Sequence, residues 1–157
     1  MTRGLILEEP CVVMATNVLP ARDFSRGGAK GSPLRVLVVD DEPLIRWSVA
    51  ETLGDRGFEV VERGDARGTR SAIQVDPPFD VVLLDYRLPD SDDLSLLASI
   101  RHAWPFTQVI VMTAFGRPEM VRGALELGAY RVISKPFEME TIAALVAEAA
   151  RSSRDVH

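Results

Sequence analysis

The sequence predicts an α/β fold, a three-layer α/β/α sandwich built on a parallel sheet, and three observations point there. From Leu34 onward, short β-branched or aliphatic runs alternate with amphipathic stretches at intervals too long for hairpins. The runs VLVV, VVLL and VIVM are apolar almost without interruption, which suits strands covered on both faces. The chain has 157 residues and 46% hydrophobic content, enough for one ordinary core and short for two.

The elements follow in order. The first strand, Arg35 to Val39, ends at Asp40 and Asp41, and a helix from about Pro43 to Arg56 places Ile45, Val49 and Leu53 four apart before Gly57. A second strand covers Glu59 to Arg63 and a second helix Asp65 to Val75. The third unit pairs the strand Val81 to Leu84 with a helix over Leu94 to Ala103. The fourth pairs Gln108 to Met112 with Pro118 to Leu127, where Gly128 is the stop signal. The last strand is Arg131 to Ser134, and the closing helix, Glu138 to about Arg151, sets Ile142, Leu145, Val146 and Ala149 on one stripe. Strands joined through helices run parallel with right-handed crossovers, which gives five βα units.

Outside this region the chain reads differently. Residues 20–33, PARDFSRGGAKGSP, concentrate Pro, Gly and Ser without an apolar period, so 1–33 is expected to be a flexible N-terminal extension, 34–152 the folded domain and 153–157 a short tail. Met14 offers a second possible start within the extension. The fragment RGGAKGS resembles a phosphate loop only faintly, because its Lys precedes Gly instead of Ser or Thr and no strand leads into it. A single cysteine, Cys11, excludes an internal disulfide, and Glu8, Glu9 and Pro10 interrupt the one early apolar stretch. No segment reaches the roughly 20 apolar residues of a membrane span. A net charge of −5 provides no basic footprint for direct nucleic-acid binding. A cytoplasmic protein is expected.

Ligands of such sheets sit beyond the carboxyl ends of the strands, near the point where strand order reverses. Those ends carry Asp40 and Asp41, Asp85, Thr113 and Lys135. Adjacent carboxylates about 4 Å apart repel by roughly 1 kcal/mol in water and about 4 kcal/mol where partly buried, so Asp40 and Asp41 call for a positive partner. Asp41 could instead simply cap the helix beginning at Pro43. Taken singly, Asp85 reads as a turn residue, Thr113 as a strand end and Lys135 as a surface charge. Taken together, three carboxylates, a hydroxyl and an amine on one edge suit a hard divalent cation, Mg²⁺, and a phosphoryl group. One carboxylate then acts as nucleophile, Thr113 donates to a phosphoryl oxygen, and Lys135 sets an ammonium beside another.

The stretches VLVVDDEP, VVLLDYRLPD, VIVMTAFG and GAYRVISKPF resemble the receiver domain of two-component response regulators over about residues 34–152. The wording of DDEPLIRWS, DYRLPD and MTAFG is most similar to receivers of the nitrogen-regulation type. The resemblance implies a flavodoxin-like sheet of order 2-1-3-4-5, with Asp85 as phosphoacceptor and a sensor histidine kinase or histidine phosphotransfer protein as donor. It implies Mg²⁺ bound directly by Asp41 and Asp85, largely through water by Asp40, and by the Arg87 backbone carbonyl. Thr113 and Lys135 would hold the phosphoryl oxygens, Ala114 would leave room beside them, and the Lys135–Pro136 bond is expected to be cis. Such a chain promotes its own phosphorylation and dephosphorylation and is not otherwise an enzyme.

Two positions depart from the family pattern. Asp93 stands where a Gly is usual, and Asp tolerates a left-handed backbone. Val132 stands where an aromatic is usual, which puts the familiar aromatic switch in doubt. Tyr130, two residues earlier, is expected to share a face with Val132, and packing is the favoured reading of its ring over a substitute switch. Arg87 and Phe115 supply no acid or amide to orient water, so loss of the phosphoryl group is expected to be slow. Five or six residues follow the last helix, so the expected output is a protein contact at the face of the fourth helix, fifth strand and fifth helix, from a stand-alone receiver. Two other readings stay open. An aspartyl-phosphate hydrolase of similar fold typically carries a second Asp two residues after its nucleophile, whereas Asp85 is followed by Tyr86 and Arg87. A docking module that binds partners constitutively and is never phosphorylated is the other; the intact set of acids, Thr and Lys argues against it, while Val132 and Asp93 keep it open.

Overall fold

The computed structural model describes residues 32–155. The expected extension lies outside them except for Ser32 and Pro33, as do Cys11, Met14 and nearly all of RGGAKGS. Five parallel strands, β1 (Arg35–Val39), β2 (Glu59–Arg63), β3 (Val81–Asp85), β4 (Gln108–Thr113) and β5 (Arg131–Ser134), form one sheet in the order β2-β1-β3-β4-β5. The helices between and after them are α1 (Pro43–Asp55), α2 (Ala66–Val75), α3 (Ser95–Ala103), α4 (Pro118–Glu126) and α5 (Met139–Asp155). This is the flavodoxin-like doubly wound arrangement expected from the sequence.

Alternation along the strands sorts the core into two layers. Val36, Val38, Val81, Leu83, Ile110 and Met112 face α1 and α5, where they meet Val49, Leu53, Ile142, Val146 and Ala149. Leu37, Val39, Val82, Leu84, Val109 and Val111 face α2, α3 and α4, against Ala66, Leu96, Leu97, Ile100 and Ala124. Both faces are dry, which is why β1, β3 and β4 tolerate no polar interruption until their ends. Gly57 and Gly128 follow α1 and α4 with φ of 93° and 101°, a backbone that a side chain at either position would strain.

The differences from the expected boundaries are small and have local causes. β3 and β4 each run one residue further, to Asp85 and Thr113, because the ladder continues: Asp85 lies opposite Met112 and Thr113 opposite Ser134. Asp65 sits ahead of α2 as its cap, with its side chain accepting the Gly68 N–H at 2.7 Å. α5 continues past Arg151 to Asp155, so residues 153–155, expected in a tail, are helical. That last turn is held by the Ser153 hydroxyl on the Phe106 carbonyl at 3.0 Å and by Arg154 on Asp80 at 3.0 Å. Tyr130 and Val132, expected on one face, lie on opposite ones: Val132 packs toward the α2–α4 layer and Tyr130 toward the α1–α5 layer. Tyr130 precedes β5, so strict alternation does not extend to it, and its hydroxyl is taken by Glu148 of α5.

Leu83 is fully buried at the centre of the α1–α5 layer. Its truncation to Ala is expected to cost about 3 kcal/mol in urea denaturation, since this rigid sheet cannot collapse into the cavity.

Candidate functional site

The sheet changes direction between β1 and β3, the strand leading to β2 on one side and the strand leading to β4 on the other. Chains leaving the carboxyl ends of β1 and β3 therefore diverge and open a crevice. Asp40 closes β1: its N–H extends the ladder to the Arg63 carbonyl at 3.1 Å, and its side chain is fully buried. Both carboxylate oxygens are engaged, Oδ1 by the Glu42 N–H at 2.9 Å and Oδ2 by the Lys135 ammonium at 2.8 Å. Asp41 is exposed, and among the described residues its carboxylate makes no hydrogen bond or ion pair. Nor does it cap α1, whose N-cap position is Glu42; the nearby N–H is served by Asp40 instead.

Asp85 ends β3 and is 6% exposed. Its Oδ1 accepts the Arg87 N–H at 3.3 Å and its Oδ2 accepts from Lys135 at 3.2 Å. Lys135 reaches it because β5 ends beside β4, and the Lys135 N–H continues that pairing to the Thr113 carbonyl at 2.8 Å. The Lys135–Pro136 peptide is cis, as expected. Thr113 is 4% exposed and sits one residue past the partner of Asp85, with its hydroxyl accepting the Phe115 N–H at 3.2 Å. The turn after Asp85 is pinned twice. Leu88 is buried and exchanges backbone bonds with Ser91, while the Asp90 carboxylate accepts the Ala66 and Arg67 N–H groups at the start of α2. Asp93, in the place of a Gly, accepts the Ser95 N–H at 2.9 Å and so helps to start α3.

All five strand-end residues thus gather at one edge. Oxygens of Asp40, Asp41 and Asp85 lie within 4.8 Å of one another, the only such group of possible metal ligands among the described residues. Exposed Asp41 has free lone pairs, whereas both oxygens of Asp40 and of Asp85 already accept hydrogen bonds, so Asp41 is the acid freest to take a cation directly. Two participants were not singled out from the sequence. Glu42 places a third carboxylate 3.3 Å from the Lys135 ammonium. Arg46 donates to the Asp40 carbonyl at 2.6 Å and to Glu62 at 3.2 Å, tying the loop after β1 to β2. Glu42 immediately precedes α1 and Arg46 lies on its first turn, but the side chains that engage them, Lys135 and Glu62, lie far along the chain.

Burial first, and then the charge of Asp40, push the Asp85 carboxyl up to about 6, against the pull of Lys135. Burial also opposes the charge on Lys135, but its bonds to Asp40 and Asp85 outweigh that and hold the ammonium above the ordinary lysine range. The crevice is a strongly coupled set of charges, short of positive charge by itself.

Fold and site together define a class: a doubly wound α/β domain whose switch point holds an acidic pocket closed by one lysine. Residues 36–147 match the response regulator receiver domain, well over half of the chain, and the protein belongs to that family of two-component response regulators. It is 31% identical over 114 residues to the chemotaxis protein CheY of Treponema pallidum, covering 71% of this chain and 79% of that one. It is 35% identical over 117 residues to the response regulator protein PilR of Pseudomonas aeruginosa, covering 74% of this chain and 26% of PilR. The CheY-like receiver domain protein of Methanospirillum hungatei superposes with a TM-score of 0.77 at 26% identity, covering 80% of this chain and all of that one. The chain spans about a quarter of PilR and of the NtrC regulator of Proteus hauseri. No described helix is long and apolar enough to cross a membrane.

Because the folded state raises the Asp85 pKa above its ordinary 3.8, this group favours the metal-free fold most below about pH 4, and that contribution is lost as pH rises through about 6. Asp85→Asn is therefore expected to be more stable than the natural protein in EDTA at pH 7, by about 2 kcal/mol in urea denaturation, with the difference vanishing near pH 4.

Proposed function

We propose that this chain is a receiver that accepts a phosphoryl group onto Asp85 from a phosphohistidine donor, a sensor histidine kinase or a histidine phosphotransfer protein, in a Mg²⁺-dependent reaction. The observation that carries the reading is the single ammonium of Lys135 held between Asp40 and Asp85. A lysine there neutralises the resting nucleophile and stands ready for a phosphoryl oxygen.

The residues divide the work. Asp85 Oδ attacks phosphorus as the bond to the donor imidazole nitrogen breaks, and the imidazole leaves with its electron pair. Asp41, Asp85 and the Arg87 carbonyl would hold Mg²⁺, with Asp40 contributing through water; the ion would neutralise developing negative charge on the phosphoryl oxygens. Lys135 takes one such oxygen. The Thr113 hydroxyl, whose oxygen accepts the Phe115 N–H at rest, donates its own proton to another. Engaging Thr113 pulls on the loop to α4, and the domain shifts between two pre-existing arrangements. The readout is a phosphorylation-dependent protein contact on the α4, β5 and α5 face. The donor approaches over the carboxyl edge, where Leu44 (73% exposed) and Trp47 (57%) lie one turn apart on α1 and Phe115 (78%) projects from the loop after β4.

Acetyl phosphate with Mg²⁺ is expected to add one phosphoryl group by intact mass, and Asp85→Asn to abolish it; a label that survives the substitution overturns the reading. Trp47→Ala is expected to slow transfer from a cognate kinase about tenfold while leaving acetyl phosphate labelling unchanged. Equal loss from both donors would place Trp47 in the chemistry rather than in docking.

A further inference from the structure

An ammonium has three N–H donors, and in the resting site three carboxylates face them: Asp40 at 2.8 Å, Asp85 at 3.2 Å and Glu42 at 3.3 Å from Lys135 Nζ. A phosphoryl oxygen that approaches Lys135 must therefore compete with them for the ammonium. Asp40 is the poorest candidate to leave, because it is fully buried and losing its counter-charge would strand an ion away from water. Asp85 loses its negative charge as it is modified, and the phosphoryl group it gains stays beside Lys135, so neither buried acid is the competitor that must let the ammonium go beforehand. Glu42 is 58% exposed on its side chain and regains water as soon as it lets go.

Glu42 has no competing local duty. It occupies the N-cap position of α1, yet its side chain makes no capping bond; it leans across to Lys135, 93 residues away. Its backbone does the helix work, with the carbonyl accepting the Arg46 N–H and the N–H donating to Asp40. We infer that Glu42 is a positioning residue that holds the third donor of Lys135 at rest and yields it to the incoming phosphoryl group, so that it sets how readily Lys135 engages. This rests on Asp85 being the phosphoacceptor. The contact exists only before transfer, and an interaction stronger in the ground state than in the transition state raises the barrier.

The test is labelling of the full chain by acetyl phosphate at saturating Mg²⁺, followed by intact mass across a range of donor concentrations, for the natural protein, Glu42→Gln, Glu42→Asp and Asp85→Asn. Glu42→Gln is expected to raise the saturating rate about threefold, the size of one exposed ion pair, with an unchanged urea midpoint. Glu42→Asp keeps the charge but is too short to hold Lys135, and it is expected to follow Glu42→Gln. A saturating rate for Glu42→Gln equal to that of the natural protein overturns the inference and leaves the phosphoacceptor reading intact. So does an Asp variant that behaves like the natural protein, because charge alone would then explain the effect. If the natural protein takes no label, or Asp85→Asn takes as much, the phosphoacceptor reading fails and this inference with it.

Discussion

The position of Lys135 between Asp40 and Asp85 governs the rest of the site. Two carboxylates at the end of a dry parallel sheet cannot remain ionised without compensation, and one ammonium serves both. A buried ion pair of this kind adds little to stability compared with apolar packing. The charges are nonetheless preorganised: three carboxylates that could hold a cation and one ammonium suited to an anion stand together in the fold.

The sheet makes that arrangement possible by bringing ends together that are far apart in sequence. β1, β3 and β5 each stop at the same edge, and each last residue inherits its position from a ladder whose register the apolar core enforces. The loops are then tied down one by one, by Arg46 after β1 and by Leu88 and Asp90 after β3. Membership of the receiver family agrees with this design, since the matched region spans the whole set of strand ends.

The two positions singled out in the sequence, 93 and 132, are each satisfied locally. The Asp93 side chain accepts the Ser95 N–H at the start of α3. Val132 is packed into the α2–α4 layer, and Tyr130 is bound on the other side of the sheet by Glu148, so neither supplies a ring free to turn toward Thr113. Thr113 is tied to both neighbours through the backbone: its carbonyl accepts the Lys135 N–H just after β5, and its hydroxyl accepts the Phe115 N–H of the loop after β4.

The order and type of every element were legible in the sequence because they are written in local patterns: uninterrupted apolar strands, helical stripes such as Ile142 to Ala149, and glycines placed to stop α1 and α4. The strand-end acids, Thr113 and Lys135 were legible for the same reason, as polar residues ending apolar runs. The far end of α5, the side of the sheet chosen by Tyr130, and the parts played by Glu42 and Arg46 were not. Each is decided by a partner many residues away: Phe106 and Asp80 for α5, Glu148 for Tyr130, Lys135 for Glu42, Glu62 for Arg46. Sequence periodicity reports which face a residue prefers, but only the folded chain determines which charge it meets there.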